Sequence, residues 1–547
     1  MRPTSFNPTC VPFDEVCLQR LRKASLTSLS SDAQRHGTTM DVAKRGTPPL
    51  YYGHVGKNVA LLALSFLCLP LSAALVLLAR VFARLSSASH NVPHPNEKDA
   101  AVQRKTILVT GVSMSKGLTI ARILNQHTRH RVIGADISSL SPGRFSTAIT
   151  RYYCLDTPNG DDAEPYVDSI LSVIRHESVD LWISCSSVVA AVEDGQVVRL
   201  AKAQAAKAGR RFEAIQFNED EVEKFHEKDK FIEYIASLDL PVPESHRCTS
   251  PDEALNVLLR NIDSDATTES TKFIMKPIGV DDRARNAMMT LLPFSSPAET
   301  TSYIRGLNIS PSNPFQLQQF IRGSEYCTHA LVIHGQVKAF TSCPSLELLM
   351  HYEPLPAYSA LSQEMLAFTE RVVAAGGPDF TGHLSFDFLV EKSPTTDDLK
   401  FYPIECNPRA HTAVVLFDRT PELAAAYLSI FDDTPPTTSE GEPSKSPVVF
   451  PATPTHSYYW AGHDLVTYLV LPILDFVTGH ASIHDVSAGV TTLWSHLSNW
   501  KDGTLTLTDP WPFFVLYHVY WPAKFAQALM RGRPWSRINV STTKMFE

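Results

Sequence analysis

The chain is expected to be an α/β protein of several domains, on three observations. Its 547 residues are 44% apolar, enough for several cores. The stretch "RKTILVTGVSMSKGLTIARILNQHTRHRVIGADI" (104–137) sets short apolar runs on either side of one segment of helical period. Further on, "GHLSFDFLVEK" (382–392) and "FYPIECNPRAH" (401–411) read as two strands joined by a short polar turn.

Residues 1–57 are rich in Ser, Thr and Pro without periodicity, which predicts a disordered tail. Between Lys57 and Arg80 lie 22 uncharged residues, "NVALLALSFLCLPLSAALVLLA". At about 1.5 Å per residue they make roughly 33 Å of helix, enough for a bilayer core. A transmembrane or membrane-associated helix is expected over 58–80, too deep in the chain for an ordinary signal peptide and with Pro70 placed to kink it. Lys44, Arg45 and Lys57 on one side, and Arg80 and Arg84 on the other, leave its orientation open. Residues 81–104 read as a polar linker.

From 105 to 220 the pattern predicts a parallel open sheet with flanking helices. Thr106–Thr110 is an apolar run ending at Gly111, Lys116–Gln126 has helical period, and Val132–Ala135 is a second run ending at Asp136. Runs at Tyr152–Leu155 and Leu181–Ser184, with a helical stretch near Val188–Ala208, continue this Rossmann-like unit. Gly111 and Gly117 do not make GxGxxG, so a structural role outweighs a working dinucleotide site. Residues 434–455 form a Pro/Ser/Thr-rich linker. Residues 456–547 form an aromatic, helical extension, suited either to a membrane interface or to a cap on the domains before it.

The net charge is −8 and no dense Lys/Arg block occurs, which argues against nucleic-acid binding. Nine scattered cysteines without a CxxC pair suggest neither a cysteine zinc site nor a disulfide framework, and a reducing compartment.

Side chains two apart on a strand share a face, so Glu405, Asn407 and Arg409 would line one side of a strand that ends at Pro408. A turn through "SPTTDD" lets Asp387 lie beside Glu405. Asp387, Glu405 and Asn407 are then hard oxygen donors suited to Mg²⁺, and the Arg409 guanidinium suits phosphate or carboxylate. An exposed sheet edge with two acids is the alternative, but Asp387 sits in a run of Phe and Leu where an unpaired carboxylate is costly. Upstream, Lys230 lies on an amphipathic helix in "EKDKFIEYIASLDLPVPES", and Lys276 follows an apolar run in "KFIMKPIG".

In this order (Lys230, Lys276, "FQLQQFIRGSEY", Asp387, then Glu405-x-Asn407-Pro-Arg409) residues 105–433 resemble the ATP-grasp superfamily. That superfamily includes D-alanine–D-alanine ligase, biotin carboxylase and carbamoyl-phosphate synthetase. The resemblance implies a Rossmann-like pre-ATP-grasp domain at 105–220 and a two-lobed ATP-grasp domain at 221–433 that clasps ATP. It implies ATP and Mg²⁺ (or Mn²⁺) as cofactors, with Lys230 and Lys276 on the phosphates. Gln319, Phe320 and Ile321 would meet adenine, and Glu325 the ribose. Asp387, Glu405 and Asn407 would hold the metal. Arg409, with Lys276, would act on the phosphorylated substrate. Two departures stand out: the loop "GVDDRARNAMM" has a single glycine and carries Arg283 and Arg285, and Gln318 or Gln319 replaces the acid common before the adenine segment.

A narrower likeness is to the ATP-grasp ligases of mycosporine biosynthesis, in the hydrophobic segment and in "YYWAGHDLV" (458–466), "DPWPFF" (509–514) and "RINVSTTK" (537–544). Those ligases join glycine to 4-deoxygadusol. The implied reaction is an ADP-forming coupling of a small-molecule acid or enolone with an amino acid, on the cytoplasmic side of a membrane. His383 and His411 are candidates to take the amine's proton. The alternatives are a general carboxylate–amine ligase, an NAD-dependent oxidoreductase using 105–136, and an inactive membrane scaffold.

Overall fold

The uncharged run expected at 58–80 lies inside a longer helix, Pro49–Ser89 (α1), in the computed structural model of the chain. The structure describes residues 49–89, 103–158, 162–186, 190–260, 271–278, 290–345, 350–392, 399–432 and 447–546. Residues 49–57 and 81–89 are therefore helical rather than tail and linker, while 1–48 and 90–102 lie outside the described residues. Two of the flanking charges, Lys57 and Arg80, lie within the helix and have partners. Lys57 Nζ donates to the Ser536 carbonyl at 3.0 Å and sits 3.4 Å from the centre of the Trp535 ring. Arg80 lies 5.7 Å from the Trp511 ring. The helix runs through Pro70, and its 30 residues His54–Ala83 are long and apolar enough to cross a membrane. Phe66, Leu67, Leu71 and Leu78 are exposed. Another face of α1 is in contact, with Ser65 Oγ donating to Tyr517 O at 2.8 Å and His54 Nε2 lying 3.5 Å from Ala528 O. Contacts at 54, 65 and 80 thus meet 528, 517 and 511 in turn, so α1 runs antiparallel to the helical stretch 511–531.

Thr106–Thr110 (β1), Arg131–Asp136 (β2), Tyr152–Cys154 (β3), Leu181–Ile183 (β4) and Glu213–Ile215 (β5) form an all-parallel sheet in the order β3-β2-β1-β4-β5. Ser115–His127 (α2), Glu164–His176 (α3) and Ala191–Lys207 (α4) are its helices. Ile107, Leu108, Val109, Val132 and Ile133 are fully buried, as a sheet covered on both faces requires. The helical stretch expected from Val188 begins at Ala191, and Val188 itself lies outside the described residues.

Gly111 has φ +69°, and a Cβ there would stand 2.5 Å from the Cys185 carbonyl oxygen. The turn after β1 is packed tightly against the end of β4, and the first turn of α2 is covered by the chain's own C-terminal segment. The Ser115 amide donates to Ser541 O at 2.9 Å, and Trp460 Nε1 donates to Ser115 Oγ at 2.9 Å. Asp136, which ends β2, accepts from the Ser113 amide at 2.8 Å. The helix N-terminus and the acid that a dinucleotide would use are both engaged within the chain.

Two further sheets follow the helices Glu219–His226 (α5) and Lys228–Ser237 (α6). Ser245–Cys248 (β6), Phe273–Pro277 (β7) and Phe315–Gln319 (β8) pair antiparallel in the order β6-β8-β7. Pro251–Arg260 (α7) and Pro297–Gly306 (α8) pack on them around Leu258, Phe273 and Leu317, making a first lobe. Ser324–Ile333 (β9), Gln336–Pro344 (β10), Gly382–Lys392 (β11) and Leu399–Asn407 (β12) make the second, in the order β10-β9-β11-β12, with the helix Ala360–Gly376 (α9). Helix α6 belongs to this second core, where Phe231 stacks on Phe386 at 6.0 Å. The turn 393–398 and the loop 279–289, with Arg283 and Arg285, lie outside the described residues. So does 434–446 of the expected linker, whereas Val449 is bonded to the second lobe: its amide donates to Lys338 O and its carbonyl accepts from the Phe340 amide, both at 2.9 Å.

The chain is thus a mixed α/β protein whose C-terminal extension packs on the domains before it. Tyr352 and Tyr458 exchange backbone hydrogen bonds at 2.9 and 2.8 Å. Arg122 of α2 pairs with Asp509 at 2.9 Å, with both side chains 4% exposed, and also donates to Thr504 O and Asp509 O. Asp509 accepts from Ser146 Oγ at 2.6 Å as well. Removing one partner of a buried pair strands the other charge, so Arg122→Ala should cost about 3–5 kcal/mol in denaturant unfolding. The double variant with Asp509→Ala should cost less than the two single losses together.

Candidate nucleotide and metal site

The site grows from the β11–β12 hairpin. Its register sets Asp387 opposite Glu405 and Ser385 opposite Asn407. The pairing then slips, and Phe388 faces Pro403, leaving Ile404 as an extra residue. A proline cannot donate to the ladder, and β12 is the edge strand, where such a bulge is tolerated. On the other side Asp387 faces Cys327 of β9, and Glu325 lies two residues back, at the exposed start of that strand.

Asn407 Nδ2 donates to Asp387 Oδ2 at 3.3 Å, and Arg409 donates to Asn407 Oδ1 at 2.9 Å. The other Asp387 oxygen, Oδ1, is buried and has no hydrogen-bond partner. Burial raises the Asp387 carboxyl well above the usual range, and the Glu405 and Glu325 charges add to this while Arg409 opposes it. The Glu325 carboxyl is raised by lost solvation and then by Glu405, with Lys276 pulling the other way. Burial lowers Arg409, with Glu405 and Asp387 opposing. Three carboxylates crowd one spot, and one buried oxygen is orphaned. A hard divalent cation fits this donor set.

The sequence-predicted cations are placed differently from each other. Lys276, on β7 of the first lobe, donates to Gln318 Oε1 at 2.7 Å and acts electrostatically on Glu325. Gln319 and Phe320 form the crossing between lobes, their amides donating to Glu244 O at 2.7 Å and Lys272 O at 2.6 Å, and Ile321 after them is buried. Lys230 is paired on its own side of the chain, with the acids of the preceding residues. It pairs with Glu227 at 3.2 Å and Glu223 at 3.6 Å, and its side chain is 46% exposed. The lysine of α6 that reaches the hairpin is Lys228, 3.9 Å from Glu405 Oε2 and 14% exposed. The signal for it was present: Lys228, Phe231, Ile232 and Ile235 fall at helical spacing, and the last three are buried. Lys228→Ala should therefore lower kcat/KM about 10- to 100-fold, as loss of a charged contact does, and Lys230→Ala should change it less than about twofold.

Lys116 was seen in the sequence only as the start of a helical run. It is 1% exposed, and its Nζ donates to Ser186 O and Ala410 O, each at 3.0 Å. Burial, with the Arg409 charge, lowers it from 10.5 to about 7. It joins the end of β4 to the residue after Arg409. The two histidines named as proton acceptors are held inside the protein. His383 Nε2 lies 2.8 Å from the Tyr427 hydroxyl, and His411 Nδ1 accepts from the Ala413 amide at 3.2 Å. His329 stacks on His383 at 5.4 Å, and its Nδ1 accepts from the His411 amide at 3.3 Å. Burial keeps all three rings neutral, His329 at about 3 and the other two well below the usual value.

No family model matches the chain, and no curated protein matches it. Among solved structures it is similar to an L-amino acid ligase from Bacillus licheniformis, at 14% identity over 63% of this chain and 78% of that one, TM-score 0.41. It is similar to an N5-carboxyaminoimidazole synthetase from Staphylococcus aureus complexed with ADP, at 13% identity over 61% and 79%, TM-score 0.42. It is also similar to biotin carboxylase from Campylobacter jejuni in a β,γ-ATP complex, at 14% identity over 62% and 74%, TM-score 0.44. At these identities and scores the likeness transfers no activity to this chain.

Proposed function

We propose that the chain is an ATP-grasp ligase, ADP-forming, that phosphorylates an acidic oxygen of one small molecule and joins it to the amine of another, typically an amino acid. The observation that carries this reading is the orphaned Asp387 oxygen beside Glu405 and Asn407, with Lys228, Lys276 and Arg409 around it.

Asp387, Glu405 and Asn407 would hold Mg²⁺ (or Mn²⁺), which would supply charge neutralisation for phosphoryl transfer. Lys276 and Lys228 bind phosphate oxygens from the two sides of the site. Gln319–Ile321 lie along adenine, and Glu325 accepts from the ribose hydroxyls. Arg409 orients the acid and then its phosphorylated form. The substrate oxygen attacks the γ-phosphorus and ADP leaves; the amine nitrogen then attacks the activated carbon and gives up a proton, and inorganic phosphate leaves. Closing the lobes excludes water, whose attack on the intermediate is the competing reaction. Within this reading the finer assignment is 4-deoxygadusol with glycine, supported by the resemblance of segments 458–466, 509–514 and 537–544. A general carboxylate–amine pair is its rival. An oxidoreductase is disfavoured, because Ser541 and Trp460 cover the helix end a dinucleotide would need.

The purified full chain, given ATP, Mg²⁺ and candidate pairs, should release ADP only when both acid and amine are present, with the coupled product seen by mass. ADP release indifferent to the amine sinks the ligase reading.

We also propose that α1 places the protein on a membrane with the lobes on the cytoplasmic side, where ATP is found. Its exposed Phe66, Leu67, Leu71 and Leu78 support this, as do exposed Leu474, Val477, Ile483 and Trp494 in the extension. The wild type should float with liposomes, and replacing the four α1 residues by Ser should leave the protein in the soluble fraction.

A further inference from the structure

Away from the hairpin, two buried side chains and one half-buried one, from separate stretches, converge on one point. His351 follows β10, Asp464 ends the helix Ala461–Asp464, and His496 lies on the helix Ile483–Asn499. Asp464 Oδ1 is 2.8 Å from His351 Nε2, and its Oδ2 is 2.6 Å from His496 Nδ1. Their side chains are 0%, 3% and 12% exposed in the order Asp464, His351, His496. One ligand atom from each lies within 4.8 Å of the others.

We propose that His351, Asp464 and His496 form a second metal site, for a divalent transition ion such as Zn²⁺, which fastens the C-terminal extension to the second lobe.

A carboxylate bridging two imidazoles by hydrogen bonds alone would give the same short distances. Two features favour an ion. A third imidazole, His463, has its ring 5.8 Å from that of His351, and its Nε2 is buried without a hydrogen-bond partner. The wall is aromatic as well: Trp500 lies 4.5 Å from the His496 ring and 5.5 Å from the His351 ring, and Tyr468 stands beside both. Such a wall keeps water out and strengthens ligand bonds. Two imidazoles with one carboxylate select Zn²⁺ or a neighbouring transition ion over Mg²⁺, which takes oxygen. Small side-chain rotations would bring the three atoms to the about 2.0–2.2 Å that such bonds require. The two metal sites therefore differ in chemistry and need not compete.

The position gives the ion a task. The residue after His351 is Tyr352, which bonds to Tyr458 of the extension and packs its ring 5.8 Å from His411, two residues beyond Arg409. Fixing residue 351 fixes the strap against which the Arg409–His411 loop rests.

The test uses the full chain in detergent, stripped with chelator, dialysed, and supplied with Zn²⁺ or Co²⁺ in the presence of excess Mg²⁺. One tightly held equivalent per chain is expected, with the visible bands of four-coordinate Co²⁺ and a raised melting temperature in Zn²⁺. His496→Gln keeps a donor facing Asp464 but loses the imidazole, and should bind at least about tenfold more weakly. The double variant His351→Ala/His496→Ala should lose the equivalent and the Zn²⁺ response. No tight equivalent in the wild type, or one held undiminished by His496→Gln, overturns the proposal.

Discussion

Glu405→Gln is expected to lower amine-dependent ADP formation by at least about 10²-fold, more than the loss of a residue that only supports a metal ligand. The fold should survive, because Glu405 lies on the edge strand β12, its side chain is 31% exposed, and Gln has its shape. Stability should move the opposite way from activity. Without a bound cation, the Glu405 charge is one of the groups that raise the Asp387 carboxyl. A carboxyl whose folded value lies above its unfolded value binds more protons in the folded state. Its stabilising contribution is full below the unfolded value and is lost as pH rises through the folded one. Removing the Glu405 charge should bring Asp387 down and flatten that decline, so the metal-free variant is at least as stable as wild type at pH 7. Adding Mg²⁺ with ATP should then protect the wild type against heat more than the variant. Wild-type turnover in Glu405→Gln would remove these acids from the metal site.

The hairpin was legible because strand side chains repeat every second residue, so Asp387, Glu405 and Asn407 could be set on one face from spacing alone. The bulge at Ile404 was not, since it depends on which residues face Pro403 across the ladder. The parallel sheet was legible from β1, β2 and the runs that became β3 and β4. Strand β5 has the same three-residue length as β3 and β4, but Glu213 breaks the uncharged run that marked those two. Lys230 was named for its place in the order of lysines and acids along the chain, yet the apolar stripe of α6 runs from Lys228. The ends of α1 were misplaced because charge was read as a boundary, whereas Lys57 and Arg80 are accommodated by tryptophans of the extension. No local pattern joins His351 to Asp464 and His496, or Lys116 to Ala410. Those contacts belong to the way separate domains dock, and single-chain periodicity does not reach that far.

Lys116→Met should lower kcat/KM by on the order of 10²-fold, the cost of misplacing reacting groups by about 1 Å, with no loss of a group that touches ATP. Lys116 holds Ala410 O and Ser186 O, so its removal loosens the loop that aims Arg409. Met fills the volume but leaves two buried carbonyl oxygens without a donor. The stability profile separates this role from ordinary packing. Lys116 is lowered from 10.5 to about 7 in the folded protein. Between those two values the unfolded chain binds a proton that the folded chain does not, so this group makes stability rise with pH across that window. Below about pH 7 the buried charge exacts its full cost, because both states are protonated. Wild type should therefore gain on Lys116→Met steadily as denaturant midpoints are taken from pH 7 towards pH 10. If the two profiles run parallel, Lys116 is an ordinary lysine and its two carbonyl contacts do not shape the Arg409 loop through a displaced proton equilibrium. If wild type gains as expected and kcat falls with KM unchanged, then Lys116, on the first helix of the parallel sheet, sets the aim of the guanidinium that follows β12.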